Sequence, residues 1–133
     1  MNIEQLHKVF LKHHEITTDS RNCPDGSMFF ALKGEKFDGN IYARTALDNG
    51  CAIAVVDNKD VVPSNDDRYI LADDALLALQ QLAKFHRNTF SIPVIQITGT
   101  NGKTTTKELL SAVLSKKYNT LFTLGNLNNH IGV

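Results

Sequence analysis

The chain has 133 residues, 42% hydrophobic and 21% charged, with 14 Lys plus Arg against 14 Asp plus Glu. That length supports one domain, or a small domain with part of another, able to bury roughly two-thirds of its unfolded surface. A zero formal charge argues against a bulk nucleic-acid or membrane-surface binder, which needs a basic excess.

The charge is uneven along the chain. Residues 1–98 hold 10 basic and 13 acidic side chains, and residues 99–133 hold 4 and 1, so the last quarter is the better home for an anion. Cys23 and Cys51 are too few for a disulfide framework and lack C-x-x-C spacing for zinc. No apolar run approaches the roughly 20 residues that span a bilayer. The opening Met1-Asn2-Ile3-Glu4 lacks the basic-then-apolar layout of a secretory leader. A cytoplasmic monomer is the expectation, with no nucleic-acid or membrane partner.

Ile3, Leu6, Val9 and Phe10 recur at helical spacing and predict a first helix. Ser27–Leu32 is a short apolar run, read as a buried strand. Lys33–Asn40 reads as a polar loop with two glycines. A helix follows, with Ile41, Ala43, Ala46 and Leu47 on its apolar side and Asn49-Gly50 as its stop. Ala52–Val56 is a continuous apolar strand of the kind covered on both faces. Asn58–Arg68, with Pro63, is a loop, and Tyr69–Ala72 another short strand. Asp73 or Asp74 can cap the next helix, whose stripe runs Leu76, Leu79, Leu82, Ala83 and His86. Asn88–Pro93 reads as a linker, Val94–Thr98 as a strand, Gly99–Gly102 as a tight loop, Lys103–Lys116 as a helix, and Thr120–Thr123 as the start of one more strand. Strands alternating with helices predict an α/β fold with mostly parallel pairing.

The strongest chemical signal is Gly99-Thr100-Asn101-Gly102-Lys103-Thr104-Thr105, which follows a β-type run and opens a helix. Glycines let successive backbone N–H groups turn inward around phosphate oxygens, and a helix N-terminus adds unpaired donors and partial positive charge. Lys103 would reach the β and γ phosphates of ATP, and the Thr104 hydroxyl would complete a Mg²⁺ shell. The spacing is G-x-x-G-K-T, with Ile97 where the strict G-x-x-x-x-G-K-[ST] pattern has its first glycine. The competing interpretation is a strand–turn–helix junction in which the glycines only make the turn. Ala52–Asp57 looks like a strand ending in a Mg²⁺-holding acid, but it precedes the loop. Asp57 is therefore read as a strand-end residue meeting solvent. The histidines give no metal pattern: His13 and His14 are adjacent, and His86 is read as a boundary residue.

The loop Gly99–Thr105 resembles that of the Mur ligases and their folylpolyglutamate synthetase relatives. Thr18-Asp19-Ser20-Arg21, then Pro24–Glu35, then Asp38-Gly39 resemble the N-terminal domain of the later amino-acid-adding Mur ligases. Gly125–Val133, rich in Asn, resembles the member that adds D-Ala-D-Ala. The resemblance implies a small N-terminal α/β uridine-binding domain, residues 1–88, followed by the start of a P-loop ATPase-type parallel-sheet domain, residues 89–133. It implies ATP-dependent joining of D-Ala-D-Ala to a UDP-N-acetylmuramoyl tripeptide through an acyl phosphate, in peptidoglycan precursor synthesis. By position, Thr18, Ser20, Arg21 and the Glu35-Lys36-Phe37 loop would contact the UDP end, with Asn128 and Asn129 as further substrate contacts. Gly99, Thr100, Asn101, Gly102, Lys103, Thr104 and Thr105 would hold ATP, Lys103 and Thr104 would be catalytic, and Thr104 would touch the metal. The alternative for Asp19-Ser20-Arg21 is a turn bonded to itself.

The resemblance also implies a fragment, inactive alone, since the family's acidic Mg²⁺ ligand and C-terminal domain are not in the sequence. Other readings are the diamino-acid-adding ligase that makes the tripeptide, a small P-loop kinase, for which Glu108 is the one acid after the loop, and a noncatalytic nucleotide-binding module.

Overall fold

The computed structural model describes residues 2–123. The Asn-rich stretch, with Asn128, Asn129 and His130, lies outside the described residues. The chain divides into two compact units, Met1–Phe90 and a second that begins at Ser91.

The first unit opens with α1, Ile3–His13. Asn2 starts it with a reciprocal cap: its side chain accepts from the Gln5 N–H at 2.9 Å, and the Gln5 side chain accepts from the Asn2 N–H at 3.2 Å. His14, at φ 57° in the left-handed region, ends it. Four strands then form one sheet in the order β1 (Ile16–Thr17), β2 (Met28–Phe30), β5 (Ile53–Val56), β6 (Tyr69–Leu71). Every pairing is parallel, with Thr17 opposite Phe29, Phe29 opposite Ala54 and Val55 opposite Ile70.

Side chains alternate across a strand, so a run buried on both faces needs a layer on each side. Phe29, Ala54 and Val56 pack with Ala43, Ala46 and Leu47 of α2 (Ala43–Asp48). Met28, Phe30, Val55 and Ile70 pack on the opposite face with Leu6 of α1 and Leu82 of α3 (Ala75–Asn88). Each of the Phe, Met, Val, Leu and Ile side chains among them contributes about 1.5–3 kcal/mol when fully buried. Asp74, not Asp73, caps α3, accepting from the Leu77 N–H at 2.8 Å.

Several expectations change. The segment 33–40 is not a plain loop: Lys33–Gly34 (β3) and Phe37–Asp38 (β4) pair as a small antiparallel hairpin, and a 3-10 turn, Gly39–Tyr42, leads into α2. Ile41 lies in that turn with 66% of its surface exposed, so it is not on the apolar side of α2. Ala83 is exposed, and the inward positions of α3 are Ala75, Ala78, Leu79 and Leu82. Asp57 does not meet solvent as a free strand end; only 10% of its side chain is exposed.

The second unit contains α4, Lys103–Leu114. Val94–Thr98 and Thr120–Thr123 are not strands among the described residues. A strand exists by its ladder to neighbours, and no described segment pairs with either. Val94 and Ile95 are correspondingly exposed.

Candidate functional site

In the second unit, Gly102 is the N-cap of α4, and its φ of 77° is a conformation that L side chains resist. This left-handed step lets the chain pass from the Gly99–Asn101 loop into a helix without a side-chain cap. The loop is exposed throughout. Lys103 folds back over it: its Nζ donates to the Gly99 carbonyl at 2.6 Å and the Thr100 carbonyl at 3.3 Å. The N-terminal turn of α4, Lys103-Thr104-Thr105, is thus solvent-accessible, with a cation held above the loop. Anion binding suits that arrangement, because N–H groups of the first turn lack intrahelical partners.

In the first unit, the chain leaves the carboxyl end of the parallel sheet four times, after Thr17, Phe30, Val56 and Leu71. Open parallel sheets hold ligands at that end. Behind β1, Thr17–Asn22 is a turn that bonds to itself. Thr17 Oγ1 donates to the Asn22 carbonyl at 2.8 Å and accepts from the Asp19 N–H at 3.1 Å. Arg21 grips Asp19 through two bonds, Nε at 2.9 Å and Nη2 at 2.8 Å, which hold the Asp19 carboxyl down at about 2. The Ser20 carbonyl accepts from Asn49 Nδ2 at 2.8 Å, tying the turn to the end of α2. Thr18 is exposed and Ser20 half-buried in this turn. Cys23 donates its thiol to the Ser20 carbonyl at 3.4 Å, and burial pushes that thiol up to about 11.

Behind β2, Glu35 and Lys36 form the exposed tip of the hairpin. Phe37, next to them, stacks on Tyr42. The hairpin is anchored by Asn40, which is 1% exposed. Its Nδ2 donates to Asp38 Oδ1 at 2.7 Å and Asp57 Oδ1 at 2.8 Å. Its Oδ1 accepts from the N–H groups of Asp57 at 3.0 Å and Asn58 at 3.2 Å. Asp57 also receives Lys33 Nζ at 2.7 Å and the Ala75 N–H at 3.2 Å. One side-chain network therefore joins the hairpin, the end of β5 and the start of α3. Burial raises the Asp57 carboxyl, but bonds from Lys33, Asn40 and Ala75 outweigh it and hold the group below its usual range. Gly39 lets the backbone close: a Cβ there would lie 2.6 Å from the Leu32 carbonyl oxygen.

The expected set thus falls on two places: Thr18, Ser20, Arg21, Glu35, Lys36 and Phe37 at the carboxyl end of the first sheet, and Gly99–Thr105 at the start of α4. Asn40, Tyr42, Lys33 and Asp57 were not among the expected site residues. The partners of Asn40, Lys33 and Asp57 lie 17 to 24 positions away (Asn40–Asp57 at 17, Lys33–Asp57 at 57 − 33 = 24), beyond any local pattern.

Comparison with known proteins divides the chain at the same region. The profile described as the Mur ligase family catalytic domain matches residues 12–87, and that of the Mur ligase middle domain matches residues 97–133. UDP-N-acetylmuramoyl-tripeptide–D-alanyl-D-alanine ligase of Bacillus subtilis is 43% identical over 120 residues, covering 90% of this chain and 26% of the relative. The Escherichia coli protein of that name is 40% identical over 118 residues, covering 89% and 25%. Among solved structures, MurF of Acinetobacter baumannii superposes with a TM-score of 0.80 at 37% identity, covering 98% of this chain and 31% of that one. The MurF ligase of Thermotoga maritima, solved in complex with ADP, gives 0.75 at 35% identity, covering 89% and 27%. The chain spans about a quarter of the length of the curated relatives it matches. Two family profiles in succession, the first over more than half of the sequence, agree with the parallel sheet and the glycine-lysine loop at α4: the chain belongs to the Mur ligase family.

Proposed function

We propose that this chain forms the UDP-substrate half and the opening of the ATP-binding half of a ligase that joins D-Ala-D-Ala to a UDP-N-acetylmuramoyl tripeptide. Residues 1–88 take the UDP end and residues 89–133 begin the ATP-binding domain. The observation that carries this reading is the Gly99–Thr105 loop at the start of α4, inside the middle-domain match and preceded by a complete α/β unit. The relatives' names supply the two substrates, and the ADP complex of the Thermotoga protein supports ATP.

A carboxylate resists attack by an amine until one of its oxygens becomes a leaving group. In the proposed reaction a tripeptide carboxylate oxygen bonds to the γ-phosphorus and the bond to the ADP oxygen breaks. The amine nitrogen then attacks the acyl carbon, phosphate departs, and the amine gives up a proton. Lys103, released from the Gly99 and Thr100 carbonyls, would offset charge on the β and γ phosphates; such preorganised contacts are worth about 3–4 kcal/mol. Mg²⁺ fits this donor set in the way it fits phosphate loops: no described cluster of three metal-ligating side chains cages it, and Thr104 offers one hard oxygen beside the nucleotide's own. When bound it would neutralise phosphate charge.

Calorimetric titration of the chain with the UDP-linked muramoyl tripeptide and, separately, with Mg-ATP tests the reading. Binding of the UDP ligand is expected. Mg-ATP should bind little, because exposed helix-terminus contacts give only about 0.3–1 kcal/mol each. Tight Mg-ATP binding with no response to the UDP ligand would overturn the assignment and favour a small kinase.

A further inference from the structure

We propose that Asn101 is a site of spontaneous self-modification: the Gly102 backbone nitrogen closes on the Asn101 side-chain amide and leaves an isoaspartate or aspartate in the Gly99–Thr105 loop. This chemistry goes beyond the reading above and does not depend on what the loop binds.

An asparagine or aspartate followed by glycine can cyclise because no side chain on the glycine obstructs its nitrogen. The chain has four such pairs, Asp25-Gly26, Asp38-Gly39, Asn49-Gly50 and Asn101-Gly102. In the first three the glycine N–H is committed. Gly26 donates to the Gly50 carbonyl at 2.8 Å, Gly39 to the Leu32 carbonyl at 2.9 Å and Gly50 to the Leu47 carbonyl at 3.4 Å. The Asn49 amide is held as well, donating to the Ser20 carbonyl at 2.8 Å. Among the described residues, no hydrogen bond engages the Gly102 N–H or the Asn101 side chain. Both residues are exposed, and a Cβ added at Gly102 would meet nothing within 4 Å, so the ring has room to close.

Electrostatics favour the same nitrogen. Ring closure passes through the deprotonated Gly102 amide. Lys103 Nζ, held over the loop by the Gly99 and Thr100 carbonyls, and the N-terminus of α4 both place positive charge near that anion. The Gly102 nitrogen, having given its proton to water or buffer, bonds to Asn101 Cγ. The bond from Cγ to Nδ2 breaks, and ammonia leaves with a proton taken from solvent. Water then adds to either carbonyl of the cyclic imide, so an amide and a water become a carboxylic acid and ammonia. Opening at the main-chain carbonyl gives isoaspartate, with an extra carbon in the backbone. Either product sets a negative charge beside Lys103, in a loop whose geometry suits anions.

The test is incubation of the 133-residue chain in mildly alkaline buffer at physiological temperature. Acidic digestion and tandem mass spectrometry then follow the Asn49 and Asn101 peptides, and enzymatic methylation reads isoaspartate. Asn101 is expected to convert about tenfold faster than Asn49, whose side-chain and Gly50 hydrogen bonds must first open. In guanidinium chloride, where those bonds are gone, the two rates should come within about threefold of each other. Asn101→Gln, which would have to close a larger ring, should reduce isoaspartate to the Asn49 level. Equal rates in the native chain, a gap that persists in denaturant, or undiminished isoaspartate in Asn101→Gln would each overturn the proposal.

Discussion

Asn40→Ala removes the residue that ties the hairpin to β5 and α3. Two backbone donors, the N–H groups of Asp57 and Asn58, lose their acceptor, and two carboxylates, Asp38 and Asp57, lose a donor. The residue is 1% exposed, so water does not simply take its place. At about 1 kcal/mol for each of the four bonds, the first unit should lose about 3–4 kcal/mol. That is a large share of the 5–15 kcal/mol typical of a domain. Native-state hydrogen exchange at Val55 and Val56 reads the loss in this unit directly, without interference from the second. Asn65→Ala, in an exposed loop, is the control and should change stability by less than about 0.5 kcal/mol. Asn40→Asp sharpens the test. It keeps the shape but sets a third carboxylate against Asp38 and Asp57, so its folded state binds protons more readily than its unfolded state. Its deficit should therefore shrink as pH falls from 7 towards 5. An Asn40→Ala loss below about 1 kcal/mol would refute the reasoning, because it would mean that the network has solvent in reach of every donor.

Other outcomes follow from the same geometry. Gly39→Ala should destabilise the first unit by about 1–3 kcal/mol in urea unfolding, since the new Cβ meets the Leu32 and Ala31 backbone at 2.6–2.8 Å and neither neighbour is a side chain that can swing away. Asp38 and Asp57 are both held below the usual carboxylate range, so their stabilisation is full above about pH 4 and lost as pH falls through the lower folded values; Lys33→Met should reduce that acid sensitivity in a pH series of melting temperatures. If the proposed ligase activity holds, Lys103→Ala in the full-length protein should lower phosphoryl transfer by at least about a hundredfold with the fold intact by circular dichroism. Limited proteolysis should cut within residues 88–93 before it cuts inside 1–85, as mass spectrometry of the first fragments would show.

Much of the first unit was legible because its signals are local. Phe29-Phe30 and Ala54-Val55-Val56 are continuous apolar runs, and only a sheet covered on both faces buries such runs. Asp74 and Asn49-Gly50 mark helix ends by their own chemistry. The Gly-Lys-Thr triplet announced the start of α4 because a left-handed glycine and a helix follow directly from residue type. What escaped has its cause elsewhere in the chain. Lys33-Gly34 and Phe37-Asp38 contain almost no strand-forming residues, and their pairing depends on Asn40 finding Asp57, 17 positions on. Ala83 fits a helical stripe on paper, but alanine is too small for periodicity to tell inside from outside. Val94–Thr98 has the composition of a buried strand, yet a strand is a relation between segments, and no described segment supplies its ladder. For the candidate site, the Gly99–Thr105 loop and the self-bonded Asp19–Arg21 turn could be read locally, whereas the bonds of Asn40 and Lys33 to Asp57 are facts of three-dimensional closure.

The boundary at Phe90 has a consequence for biosynthesis. Every strand of the four-stranded sheet, both helices that cover one face and the helix that covers the other lie within residues 3–88. A ribosome that has released residue 90 has therefore released all the partners this core needs, with nothing owed to later sequence. At the usual 5–20 residues per second, Lys103 emerges roughly one to three seconds afterwards. Domains of this size commonly fold in less time than that. The unit proposed to take the UDP end would thus be folded on the nascent chain before the Gly99–Thr105 loop exists, and the two proposed recognition functions would be assembled in the order in which they were translated.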